Sequence, residues 1–218
     1  GGTWLIDPTD FNVGANAQTG AASNMSGAAL TAALAGGNVT IDSNSGSSGT
    51  HGDVNINDLV NWNTNTLTLT AAGDVWVNNV MTAGGNAGLV VNYGNYATSG
   101  DADAANLAYG FRFNLDMNPA TQSGFLGKVN FTGSPTTNSL TVNGTNFILI
   151  DSLGTESSSG GNTLQGMSGY TQLGPIGDIL IAKSFALMGD IDASDTASWN
   201  SGDGFVPITN GKTGGFDG

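Results

Sequence analysis

An all-β solenoid is the fold that this sequence predicts, and three observations carry the prediction. The first is alternation. Val39-Thr40-Ile41-Asp42, Val54-Asn55-Ile56-Asn57, Leu67-Thr68-Leu69-Thr70, Val75-Trp76-Val77-Asn78 and Leu89-Val90-Val91-Asn92 are short runs with one apolar and one polar face. The second is recurrence. Val54 and Val75 are 21 residues apart, and Leu67 and Leu89 are 22 apart. Very short strands recurring every ~20–30 residues are what stacked coils produce. The third is composition. Glycine occurs 35 times, and 10% of residues are charged, against about 25% in an ordinary globular domain. Of the 17 acidic residues only Glu156 is a glutamate. Asp, Asn and Gly favour turns over helices.

The elements follow in chain order. Ser26–Gly37 is the helical exception, with Ala29, Leu30, Ala33 and Leu34 on one face. Ser26 is placed to cap its start and Gly36 its end. A helix here would cover one end or edge of the solenoid. Beyond Asn92, Phe111–Asn114, Val129–Thr132, Leu140–Asn143 and Phe147–Ile150 repeat the strand pattern. Residues 1–150 therefore read as coils. The stretch Asp151–Tyr170 is rich in Gly and Ser and contains Ser157-Ser-Ser-Gly-Gly161, an expected exposed loop and domain boundary. Residues 151–218 then read as that loop followed by a further segment continuing the solenoid. A β-sandwich, which also has short strands with turns every ~8–12 residues, is the structural alternative.

Charge excludes some partners. The formal net charge is −13, and Arg112, Lys128, Lys183 and Lys212 are the only basic residues. Such a chain has no means of gripping a phosphate backbone or an anionic membrane surface, although its field attracts divalent cations. No run approaches the ~20 apolar residues of a membrane-spanning helix. There is no cysteine, so no disulfide scaffold is available. The start Gly1-Gly2-Thr3, without Met or a basic leader, reads as a mature or trimmed product.

Several segments together resemble one family. Gly2-Thr3-Trp4-Leu5-Ile6-Asp7-Pro8 is similar to a WLIDP segment of the filamentous-haemagglutinin-like adhesins of two-partner secretion and autotransporter systems. Ala29–Ile41 resembles that family's helix-then-strand step, Thr66–Asn78 its repeating coil, and Ser139–Ile150 the segment that follows. Phe185–Ser194, Trp199-Asn200 and Gly204–Ile208 resemble its ALxxDIDAS…WN…GFxPI block, and Gly214–Gly218 the start of a Gly-rich repeat. The segments cover nearly the whole chain in the family's order. The resemblance implies a right-handed parallel β-helix at the bacterial outer surface or secreted from it. It also implies an internal or processed piece of a longer chain. Its implied work is attachment to a glycan, a cell surface, matrix or biofilm polymer.

Candidate chemistry is sparse. Asp190, Asp192, Asp195 and Asp203 form a carboxylate cluster that could offer oxygens to Ca²⁺, and Asp101 with Asp103 is a second pair. Neither has an EF-hand or nonapeptide pattern, and Asp capping a turn accounts for both. In that reading Ile191 points inward while Trp199 and Phe205 close a coil. Calcium is thus the one candidate cofactor. Glycoside hydrolysis needs two convergent carboxyls, and an acidic-polysaccharide lyase needs cations that this chain lacks. His51 lies in a turn, and no G-x-S-x-G, HExxH or Walker pattern occurs. The sequence reads as non-enzymatic. Tyr93, Tyr96 and Tyr109 around the polar loop 94–108, with Trp62 among Asn residues, are the candidate sugar-binding aromatics; core or end-capping roles are the alternative. Asn24, Asn38, Asn130 and Asn143 head N-x-S/T triplets, which an Asn/Thr-rich chain also yields by chance.

The functional expectation is an adhesin segment. The alternative is a subunit polymerising end to end through bare strand edges. A helix over the N-terminal edge would oppose such stacking; a helix on the side would not. A β-helical polysaccharide enzyme is a minor third reading.

Overall fold

The computed structural model describes residues 4–6, 10–15, 23–43, 52–94, 109–116, 120, 124–173, 179–181 and 183–205. They fall into two compact units, Gly1–Asn146 and Phe147–Gly218.

The first unit contains β1 (Trp4–Ile6), β2 (Phe11–Val13), α1 (Gly27–Gly36), β3 (Val39–Asp42), β4 (Val54–Ile56), β5 (Val60–Trp62), β6 (Thr66–Thr70), β7 (Val75–Val77), β8 (Val80–Ala83), β9 (Gly88–Asn92), β10 (Phe111–Phe113), β11 (Lys128–Phe131) and β12 (Ser139–Val142). Sheet A here is β1-β3-β6-β9-β12, sheet B is β2-β4-β7-β10 and sheet C is β5-β8-β11. All their strand pairings are parallel, unlike the antiparallel sheets of an immunoglobulin-like sandwich. The chain visits A, B and C in turn, so β3-β4-β5, β6-β7-β8 and β9-β10-β11 are three successive circuits. The first circuit has β1, β2 and then α1 where later circuits have a sheet C strand. The spacings read from the sequence are realised as register: Val54 pairs with Val75 and Leu67 with Leu89.

Register stacks like on like. In sheet A, Val39, Leu67, Leu89 and Leu140 form one inward column, and Ile41, Leu69 and Val91 form another. The intervening Thr40, Thr68, Val90 and Thr141 face outward. Because side chains alternate along a strand, the two-residue period of the sequence is sufficient to sort core from surface. Strands β1, β2, β5 and β8 are absent from the sequence reading. Length does not separate them from the strands that alternation reveals, since β4, β7 and β10 also have three residues; Val80-Met81-Thr82-Ala83 of β8 does not alternate in polarity.

The helix lies where the sequence predicts it, with two local corrections. Ser26 Oγ accepts the Ala29 N–H at 3.1 Å, but the C-cap is Gly37 rather than Gly36. Leu30 and Leu34 are buried, whereas Ala29 is exposed. The helix packs on β5. Thr31 Oγ1 accepts the Asn61 N–H at 3.1 Å, and Asn65 Nδ2 donates to the Leu34 carbonyl at 2.7 Å. Asp58 Oδ2 accepts the Gly27 N–H at 2.9 Å, a carboxylate at the positive end of the helix. The helix thus covers the first edge of sheet C. The first edge of sheet B is covered as well: Met25 bridges Val13, and Asn24 Oδ1 accepts the Asn12 N–H at 2.7 Å.

Gly27 is required for this contact, because a Cβ there would run into the Leu59 carbonyl oxygen. Gly27→Val is expected to lose about 2–3 kcal/mol of stability by prising the helix off β5. Urea unfolding of parent and variant measures this, and an unchanged midpoint would show that the helix has room to shift.

In the second unit β13 (Thr145–Ile150), which begins within the first, pairs in parallel with β16 (Ser184–Leu187). Between them β14 (Thr171–Leu173) and β15 (Ile179–Ile181) form an antiparallel pair, so the chain leaves the parallel pattern there. A 3₁₀ segment, Ser194–Gly202, is broken at Trp199–Ser201, and Asn200, Ser201 and Gly202 all have positive φ. Trp199 is buried and stacks on Phe205 with ring centroids 6.2 Å apart. Glu156 Oε1, from the Gly/Ser-rich stretch, accepts the Asn200 N–H at 3.0 Å and ties down the left-handed turn. The chain's single Glu and the Trp-Asn pair are thus parts of one local scaffold. Ile191 is half-buried.

Candidate functional site

The first unit repeats a five-residue pattern at sheet B: Asp10-Phe-Asn-Val-Gly14, Asp53-Val-Asn-Ile-Asn57, Asp74-Val-Trp-Val-Asn78 and Gly110-Phe-Arg-Phe-Asn114. The parallel register superimposes these four stretches position by position.

The leading Asp residues form a ladder. Asp10 Oδ1 accepts the Asp53 N–H at 2.9 Å, Asp53 Oδ1 accepts the Asp74 N–H at 2.7 Å, and Asp74 Oδ1 accepts the Gly110 N–H at 2.6 Å. Each carboxylate satisfies a backbone donor of the next circuit, and bonds of this charged kind are short and strong. The fourth circuit has Gly110 in place of an acid, and Arg112 supplies the counter-charge: its Nε lies 2.8 Å from Asp74 Oδ1. At the other end of the strands Asn78 Nδ2 donates to Asn57 Oδ1 at 2.7 Å, and Asn57 Nδ2 to the Gly14 carbonyl at 3.2 Å.

Between the two ladders runs an outward column of Asn55, Trp76 and Arg112, all partly exposed. The Arg112 guanidinium carbon is 5.4 Å from the Trp76 ring centroid, within cation–π range. The face therefore combines an aromatic surface, amide donors and acceptors, carboxylates and one guanidinium on rigid strands. This set matches a polyhydroxylated ligand, whose C–H faces stack on rings and whose hydroxyls need planar partners.

Tyr109 borders this face. Its hydroxyl oxygen is buried; burial pushes the phenol above its ordinary value, and the Asp53 and Asp74 carboxylates add to the rise. A raised folded-state value favours the fold below the unfolded phenol's pKa of 10.0, and that contribution disappears as pH rises through the folded value. Tyr109→Phe is therefore expected to flatten the alkaline loss of stability above about pH 10. Thermal unfolding of parent and variant from neutral to strongly alkaline pH tests it, and identical alkaline limbs would count against this role.

Among the aromatics singled out from sequence, Tyr109 lies beside Gly94, the neighbour of Tyr93, and Trp62 is set apart from them in the core. Trp62 is 3% exposed, an inward residue of β5 stacked over Ala83, so its ring is core and not a ligand platform. Apolar partners across the pleat place it there despite its Asn neighbours. Tyr93 is partly exposed beside sheet A, its N–H donating to Asn143 Oδ1 at 2.9 Å. Tyr96, His51, Asp101 and Asp103 lie outside the described residues. Trp76, Arg112 and the aspartate ladder escaped the sequence reading, although the 21-residue return from Asp53-Val to Asp74-Val was a legible signal.

Asp190, Asp192, Asp195 and Asp203 are all exposed. Among the described residues no three carboxylate, His or Cys side chains are grouped to hold a metal ion. Asp192 Oδ1 accepts the Ser194 N–H at 2.9 Å. That backbone bond, helped by the Ser194 side chain, holds the carboxyl below its ordinary value. Calcium at millimolar level against a chelator is expected to move the thermal midpoint by less than about 1 °C; a larger rise with calcium would mean that a site assembles on binding.

Fold and face together define a class: an all-β protein of parallel sheets visited in cyclic order, with polar ladders flanking an aromatic outer column. Comparison with protein families, curated proteins and solved structures finds no match to the chain.

Proposed function

We propose that the chain is a non-enzymatic segment of a secreted or cell-surface bacterial adhesin, folded as a right-handed parallel β-helix. In this reading it attaches to a glycan or matrix component through the outer face of sheet B. The single observation that carries it is the Asn55-Trp76-Arg112 column, held rigid between the Asp10-Asp53-Asp74 and Asn57-Asn78 ladders. The family resemblance of the sequence supports the same reading. So does the cyclic order of the sheets, since a continuous solenoid presents one face over many circuits.

The covered first edges of sheets B and C favour an adhesin segment over a subunit stacking head to tail. A stacking end needs open backbone groups, and here Asn24, Met25 and α1 occupy them.

Binding of the purified chain to an array of bacterial and host glycans tests the proposal. The parent is expected to bind a defined subset, and Trp76→Ala to lose about tenfold or more in affinity at unchanged fold, as removal of a stacking ring does. Uniform failure to bind glycan and matrix, or full binding by the Trp76 variant, would sink it. Release of reducing sugar from a bound polymer would show that the segment is an enzyme instead.

A further inference from the structure

Side-chain length changes abruptly along the outer column of sheet B. Asn55, Trp76 and Arg112 stand in register on β4, β7 and β10, with neighbouring strands about 4.8 Å apart. The Arg112 guanidinium carbon lies over the Trp76 ring, 5.4 Å from its centroid. That group takes the face of the indole turned towards β10. The opposite face turns towards β4, where the neighbour in register is Asn55. An Asn side chain is much shorter than an indole, so the outer part of the ring overhangs it. The column thus has a ledge, with one indole face as its wall and the Asn55 amide as its floor. Both residues are partly exposed. Asp53 and Asn57 bound the ledge along β4, and each is fixed to the next circuit. Asp53 Oδ1 accepts the Asp74 N–H at 2.7 Å, and Asn57 Oδ1 accepts from Asn78 Nδ2 at 2.7 Å.

Charge narrows what the ledge can take. Among the described residues this face sets the carboxylates of Asp10, Asp53 and Asp74 against one guanidinium. Arg112 is engaged on two sides, by Asp74 Oδ1 at 2.8 Å and by the Trp76 ring. A uronate or sulfate brought onto the indole would meet carboxylates, with the nearest cation already paired. It would lose hydration without gaining a counter-charge. An uncharged pyranose meets no such cost. Its C–H face stacks on the indole, and its hydroxyls reach an amide that both donates and accepts.

Resting on the glycan-attachment reading, we infer that the site is a single-sugar subsite on the Asn55-facing side of Trp76, selective for an uncharged pyranose over uronate- or sulfate-bearing glycans. The ring face and the charge class of the sugar are both set by Arg112, which occupies the other face and is itself held by Asp74.

A glycan array probed with the full chain, at low and at about tenfold higher ionic strength, tests this with filled-ledge variants. Asn55→Phe fills the ledge. Thr68→Phe places the same ring on the outer face of sheet A as a control. The Trp76-dependent hits are expected to be uncharged glycans, with affinities that change less than about twofold across the salt range. Asn55→Phe is expected to weaken them about tenfold or more, and Thr68→Phe less than about twofold. Circular dichroism and thermal midpoint verify that each variant is folded, and Asn55→Leu is the smaller substitution for the same test should the Phe variant unfold. Trp76-dependent hits that are mainly uronate- or sulfate-bearing, or binding that falls steeply with salt, would overturn the inference and leave glycan attachment standing. Parent-level binding by the folded Asn55 variants would do the same. An array without Trp76-dependent hits sinks the attachment reading itself, and the subsite with it.

Discussion

Asp74→Ala is expected to destabilise the first unit by about 3 kcal/mol, since hydrogen bonds to a charged group contribute about 1.5–3 kcal/mol each. One oxygen of this carboxylate takes both the Gly110 N–H and the Arg112 Nε. The Ala variant leaves the Gly110 donor without its carboxylate and the guanidinium without its ion pair. The Asp74 side chain is 15% exposed and that of Arg112 39%, so the ion pair is partly screened and the backbone bond carries most of the loss. Asp74→Asn retains an acceptor for Gly110 and is expected to lose only about 1 kcal/mol. Urea unfolding with a common slope separates the two variants. Equal losses would mean that charge and not hydrogen bonding holds the ladder; no loss in either would remove the ladder from the stability of the unit.

A second large effect is expected at Leu69. It is fully buried, and the register sets it between Ile41 and Val91 in the inward column of sheet A. Leu69→Ala is expected to cost about 2–5 kcal/mol, toward the upper part of that range because hydrogen-bonded strands above and below prevent the cavity from collapsing. Thr68→Ala, one residue earlier and on the outer face, is expected to change stability by about 0.5 kcal/mol or less. The contrast is a direct test of the inward and outward assignment. Comparable losses at both positions would mean that the face at Thr68 is covered.

What could be read from the sequence depended on the reach of the signal. Alternation declared itself in Thr66–Thr70 and equally in the three-residue strands Val54–Ile56 and Val75–Val77. At Val60–Trp62 the Asn neighbours masked it, and there a buried Trp among Asn residues suggested a solvent-facing ring. Ser26 as a helix cap was legible because the bond it makes is local. Asp58 and Gly27, which seat the same helix on β5, meet across 31 residues and were not.

The sequence by itself determined the strand class, the spacing of the circuits and the helix. These follow from local side-chain alternation and capping chemistry, which act over a few residues. Tertiary structure alone decided which residues share a ladder. Asp10, Asp53, Asp74 and Arg112 become neighbours only because parallel register carries separate circuits into contact. It also decided that Trp62 is core while Trp76 faces outward, since two strands of like composition can place a Trp on either side of the pleat. The closure of the first edges of sheets B and C is decided in the same way, because a backbone donor is satisfied by whatever segment the fold brings to it.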